Sequence, residues 1–132
     1  MILVDTSAWI EFDRATESAA DLRLTRAIEQ DEQLATTGMV VLELLAGARD
    51  DRHVSDLQRL LARCSFVALE ERTDHEAAAA LYRACRRAGV TIRRLSDCLI
   101  ATVAMRTGCT LLHQDGDFDA IARHAALAIV RT

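Results

Sequence analysis

ILVDTSAWIE, residues 2–11, carries the reading of the fold. Three aliphatic residues in a row, two of them β-branched, form a short buried strand. Asp5 follows at once, and a side chain of this type is a favoured cap for the helix that TSAWIEFDR then opens. Strand, acid and helix come within ten residues, the opening of a strand–helix–strand unit. The same alternation runs outward along the chain. Helix 19–29 precedes a strand at 33–37 (QLATT), helices 38–48 and 51–63 precede a third strand at 65–69 (SFVAL), and Thr73 with Glu76 marks a capping box for a long helix to about residue 88. Gly89 ends that helix, Ser96 caps the next (DCLIATVAMRTG), and Gly108 stops it. CTLL (109–112) is the fourth strand, DFDAIARH a short helix and LAIV (127–130) a fifth strand. Short apolar strands separated by helices predict an α/β fold whose central parallel sheet has about five strands and is covered on both faces.

Composition narrows the possibilities further. The 132 residues suit one domain, 1–132, and no linker or repeat divides them. Half the chain is hydrophobic, enough for a core without disulfide staples. Cys64, Cys85, Cys98 and Cys109 form no CxxC pair and sit among apolar neighbours, so four reduced, buried thiols are expected. No apolar stretch approaches the ~20 residues that span a bilayer, and the opening lacks the basic region of a signal peptide. A soluble cytoplasmic protein is expected. There is no Lys, so all sixteen basic residues are Arg. That absence excludes a P-loop, a Schiff base and a catalytic lysine.

Parallel α/β sheets bind ligands beyond the carboxyl ends of their strands, and five acids fall there or beside it. Asp5 follows the first strand. Asp115 and Asp117 follow the fourth, in HQDGDFD, where a polar turn is the simpler reading. Glu43 shares a helical face with Met39, Val40, Ala46 and Gly47, where a carboxylate needs a salt bridge or a metal. Asp97 lies in a helical first turn above Ile100, Ala101 and Ala104, where the helix dipole alone accounts for it. Together the five change the reading, because carboxylates converging on one edge require cations. An all-oxygen set suits Mg²⁺, with Mn²⁺ as a substitute, rather than Zn²⁺. Two such ions ~4 Å apart clamp the attacking and leaving oxygens of phosphodiester hydrolysis.

At these residues the chain resembles a PIN-domain ribonuclease of the VapC toxin type. The resemblance runs end to end through ILVDTSAWIE (2–11), TTGMVVLELLAGAR (36–49), GVTIRRLSDCLIATVA (89–104) and TLLHQDGDFDAIA (110–122). It implies a PIN-like three-layer fold and an Mg²⁺-dependent endoribonuclease that cuts cellular RNA, tRNA or rRNA, with metal-activated water. It also implies a homodimer and a cognate VapB-type antitoxin, in a heterotetramer or larger complex, with no membrane partner. Asp5 and Asp97 match the family's most constant metal ligands, Glu43 its middle acid, and Asp115 and Asp117 its final acidic pair. All five are the expected catalytic and metal-binding residues. Thr6 matches a hydroxyl position, whereas His113 stands where the family often has Ser or Thr. The alternative is a PIN-like module that binds RNA or antitoxin without cutting, and it predicts a broken carboxylate set.

The net charge of −4 is not hostile to RNA once the five site carboxylates are set aside, which leaves +1. Arg83, Arg86, Arg87, Arg93 and Arg94 form either a phosphate-facing strip or a solvated helix end. Five aromatic residues provide no evident base-stacking platform, so recognition of RNA shape and backbone is expected. The four histidines are scattered, with no acid–base pair among them, and are expected at the surface. Apolar positions in 19–29 and 51–63 exceed the need of one sheet face and are expected at the dimer contact.

Overall fold

The computed structural model describes residues 1–132. Its elements are β1 (Ile2–Val4), α1 (Thr6–Asp13), α2 (Ala19–Glu29), β2 (Leu34–Thr36), α3 (Gly38–Ala46), α4 (Asp51–Ala62), β3 (Ser65–Phe66), α5 (Glu71–Arg87), α6 (Leu95–Thr107), β4 (Thr110–Leu112) and α7 (Gly116–Ala122). The strands form one parallel sheet in the order β3-β2-β1-β4, flanked by the seven helices. β1 is central and wholly buried, pairing Leu3 with Ala35 on one side and with Leu111 on the other. Continuous apolarity is what a strand covered on both faces requires. Because all strands run the same way, the ends of β1, β2 and β4 lie along one edge. The N–H of Asp5 donates to Leu112 O at 2.9 Å and joins the exits of β1 and β4.

One cluster of 29 buried residues forms the core, with Trp9, Phe118 and Leu24 among its fully enclosed side chains. α6 supplies its densest segment: Cys98 to Ala104 are all buried. Gly108, at φ +70°, closes α6 in the left-handed region, and Gly89, at φ +86°, follows α5, as both glycines predicted.

Several local expectations are corrected. The fifth strand reduces to a single parallel bridge between Leu111 and Ile129, and the third shortens to two residues. α5 starts at Glu71, ahead of Thr73, because Asp74 accepts the Glu70 N–H at 2.9 Å and so supplies the missing cap bond. α6 starts at Leu95 after an extended Arg94, which places Ser96 inside the helix. The core absorbs Leu24 and Ala27 of α2 and Leu57 and Leu61 of α4, while Leu22 of α2 stays 58% exposed, part of the surplus expected there. Further apolar surface lies on Leu42, Phe66 and Leu95, each more than 60% exposed. His53 is buried, contrary to the surface placement expected of it. Its Nδ1 accepts the Arg49 N–H at 3.0 Å, which leaves Nε2 to donate to Asp13 at 2.9 Å. The four cysteines carry no disulfide, and three are buried as expected.

Candidate functional site

Asp5 caps α1 and belongs to the acidic edge at the same time. Its Oδ2 accepts the Ser7 N–H at 2.9 Å and the Ser7 hydroxyl, while its Oδ1 is buried with no hydrogen-bond partner. Asp97 lies in the first turn of α6 with a similar deficit: its Oδ2 is buried and unpartnered. Buried polar atoms are nearly always satisfied, so two orphaned carboxylate oxygens on one edge are positions that an electropositive ligand could fill. Burial raises the Asp97 pKa to about 7, and the charges of Asp5, Asp115 and Glu43 add to it against Arg94. Burial raises Asp5 too, opposed by the Ser7 bonds and reinforced by Glu43.

Glu43 is half-buried, and no salt bridge neutralises it. Its face of α3 is not the apolar stripe expected, because Ala46 and Gly47 are exposed. Hydroxyls hold it instead, with Thr6 donating to Oε1 at 2.9 Å and Ser96 to Oε2 at 3.5 Å. Asp115 caps α7 by accepting the Asp117 N–H at 3.0 Å, so HQDGDFD forms the polar turn that was its simpler reading. Asp97, Asp115 and Asp117 can each bring one oxygen within 4.8 Å of the others, a spacing that suits a shared cation. A cleft of about 330 Å³ opens over Asp5, Glu43, Asp97 and Asp115, and Arg93 and Arg94 border it. Asp117 does not line this cleft; its Oδ2 turns to Arg93. All five acids thus gather at one edge, four around the cleft and one beside it.

The supporting contacts of three side chains escaped the sequence reading. Ser7 donates to Asp5 and accepts the Gln114 N–H at 2.9 Å, linking the exits of β1 and β4. Its place two residues after a capping Asp was the available signal. Ser96 supports Glu43 from within the helix that it was expected to cap. Arg93 forms ion pairs with Asp115 at 2.8 Å and Asp117 at 3.1 Å. The proposed arginine strip therefore divides: Arg93 and Arg94 reach the cleft, while Arg86 lies over the Tyr82 ring on α5. His113 does an acceptor's work with its ring. Its Nδ1 takes the Asp115 N–H at 3.0 Å and its Nε2 faces Asp119 at 3.1 Å.

The oxygen-only donor set and the two orphaned oxygens fit a hard divalent ion. Comparison with known proteins assigns the family. The PIN-domain family model matches residues 2–124. The chain is 44% identical to Ribonuclease VapC11 of Mycobacterium tuberculosis over 124 residues, 93% of this chain and 92% of that protein. The same identity and coverage relate it to the VapC ribonuclease Mb1587 of Mycobacterium bovis. Among solved structures, VapBC2 from Rickettsia felis, bound to a fragment of its promoter DNA, superposes with a TM-score of 0.77 at 18% identity, covering 98% of both chains. Mycobacterium tuberculosis VapC20, described as a sarcin-ricin loop cleaving toxin, superposes at 0.72 with 22% identity and full coverage of both chains. At those identities the likeness shows the fold.

Proposed function

Because the chain belongs to the VapC family of PIN-domain ribonucleases, we propose that it is a divalent-metal-dependent endoribonuclease, the toxin of a toxin–antitoxin pair, acting through Asp5, Glu43, Asp97, Asp115 and Asp117. The observation that carries this reading is the pair of buried oxygens without hydrogen-bond partners, Asp5 Oδ1 and Asp97 Oδ2. These two carboxylates would hold the cation, Mg²⁺ or Mn²⁺, and Asp115 also lines the cleft. When bound, such an ion supplies charge to the oxygens of a phosphodiester and acidity to a water.

The chain's own residues do the rest. Ser7 holds Asp5 in one rotamer and ties it to the β4 exit. Thr6 fixes Glu43 Oε1 and leaves Oε2, with only the long Ser96 contact, free to accept a hydrogen bond from a water in the cleft. Arg94 borders the same cleft and offers charge to a phosphate. With few aromatic side chains to stack bases, the protein reads RNA shape and backbone, and its substrate is a structured cellular RNA such as tRNA or rRNA. A module that only bound RNA would have no use for two under-bonded buried carboxylates.

The partner is a VapB-type antitoxin whose Arg or Lys side chains neutralise the carboxylates. Copies of the chain pair through Leu42, Phe66 and Leu95, whose exposed apolar surface a dimer would cover, and assemble with antitoxin as a heterotetramer or larger. The protein forms a single PIN domain over 1–132 and works in the cytoplasm; no helix is long and apolar enough to cross a membrane.

The test is cleavage of total cellular RNA by the purified chain in Mg²⁺ and in EDTA, for wild type and Asp97→Asn. The variant keeps the shape of the side chain and removes its charge. It should fold and lose at least about a hundredfold in rate. Full activity in EDTA, or wild-type cleavage by Asp97→Asn, would overturn the mechanism.

A further inference from the structure

The acidic edge has two electrostatically different halves. In the inner half, Asp5 and Asp97 are each 3% exposed, and each buries an oxygen with no partner. In the outer half the engaged oxygens are fully employed. Asp115 Oδ1 accepts the Asp117 N–H at 3.0 Å and Arg93 Nη2 at 2.8 Å. Asp117 Oδ2 accepts two donors from Arg93, the backbone N–H and Nε, both at 3.1 Å. The backbone bond anchors the root of the arginine, and its planar fork then spans both carboxylates, so three contacts fix one side chain. A guanidinium keeps its proton at any working pH, which makes this a permanent positive charge. No cation is hydrogen-bonded to the inner pair, whereas Arg93 is bonded to both members of the outer pair.

We propose that Arg93 is a built-in counter-cation that holds the Asp115–Asp117 half of the site against a second metal ion, so that the free protein binds one divalent ion tightly, on Asp5 and Asp97. The inference rests on the metal-binding reading above and adds a stoichiometry to it. A second ion would have to displace the fork from both aspartates or share their oxygens with a fixed positive charge. It would also lie close to the first, because Asp97 can bring an oxygen within 4.8 Å of oxygens of Asp115 and Asp117. Removing the guanidinium removes both the competition and the repulsion. Arg93 then acts as a positioning residue that sets how many ions the carboxylates accept. Its side chain is 68% exposed, so its loss should leave the core intact.

The experiment is a titration with Mn²⁺ alone, read by calorimetry and by electron paramagnetic resonance of the free ion. It compares wild type, Arg93→Ala, Arg93→Gln and Arg93→Lys, with melting curves to establish folding. Wild type and Arg93→Lys should bind one ion tightly per chain. Arg93→Ala and Arg93→Gln should gain a second, at least about tenfold tighter than any second ion on wild type. A single ion on all four proteins, or two equally tight ions on wild type, would overturn the role of Arg93 and leave the metal-binding reading standing. No Mn²⁺ on wild type would overturn that reading itself, and this inference with it. Should Arg93→Ala fail to fold, the contrast between Arg93→Gln and Arg93→Lys decides the matter alone.

Discussion

Asp74 and Asp97 are buried to nearly the same degree, 2% and 3% exposed, in neighbouring helices packed against each other. Their electrostatic states are opposite. Asp74 meets the guanidinium of Arg106 from α6, with Nε at 2.9 and 3.1 Å and Nη2 at 2.9 Å, and also caps the start of α5. Burial alone would raise its pKa, but the Arg106 hydrogen bonds, the Glu70 N–H and the arginine charge together bring it below the ordinary value. Asp97 has burial and three other carboxylates acting on it, and its pKa stands near 7. The fold supplies a counter-charge where an aspartate only has to pin two helices. At Asp97 it supplies no hydrogen-bonded counter-charge, only the more distant Arg94. A buried acid is therefore a weak sign of function by itself, and a buried acid whose partner is missing is a strong one.

Breaking the satisfied member has the larger expected effect on stability. Arg106→Ala leaves Asp74 buried and unpaired, and chemical denaturation should show a loss of about 2–3 kcal/mol, below the usual cost because Arg106 is partly exposed. RNA cleavage per folded molecule should not change. A loss under about 0.5 kcal/mol would mean that the pair is no more than a surface bridge.

The pH dependence of the two should have opposite signs. Asp97 binds its proton more tightly folded than unfolded, so in metal-free buffer its contribution to stability is present below its ordinary value of 3.8 and is lost as pH rises toward about 7. Asp74 binds its proton less tightly when folded, so its contribution is present above 3.8 and is lost as pH falls through its lowered folded value. Melting curves from pH 4 to 8 in EDTA should show wild type losing stability relative to Asp97→Asn as pH rises. Parallel curves would remove the contrast between the two aspartates.

The smallest effect belongs to Ser7→Ala. Asp5 keeps the Ser7 N–H, while its hydroxyl donor and the Gln114 N–H acceptor disappear. Denaturation should register about 1 kcal/mol, with cleavage reduced rather than abolished.

Local signals made much of this legible in the sequence. The run from Ile2 to Asp13 is strand, cap and helix in succession, and each assignment depends only on adjacent residues. The glycines that close α5 and α6 are equally local. The five acids were found because each sits at a strand exit or in a helical first turn, save Glu43, which lies in the body of α3. What escaped depends on partners far along the chain. His53 reads as polar surface until Asp13, forty residues away, meets its Nε2. Thr73 resembles a cap until Asp74, held by Arg106 from 32 residues away, takes the Glu70 N–H. Arg93 reads as a phosphate contact until Asp115 and Asp117 claim it. The fifth strand failed for another reason: beside β4, only Ile129 comes into register.

On the proposed function, Asp5 and Asp97 together receive a divalent cation. The most direct measurement is the melting temperature at pH 7.5 in EDTA and in millimolar Mg²⁺, for wild type and Asp97→Asn. In EDTA the variant should melt slightly above wild type, because one repelling carboxylate is gone. In Mg²⁺ wild type should rise by several degrees and overtake it, while the variant moves by less than half as much. A wild-type midpoint unmoved by Mg²⁺, or an equal rise in both proteins, would contradict the account.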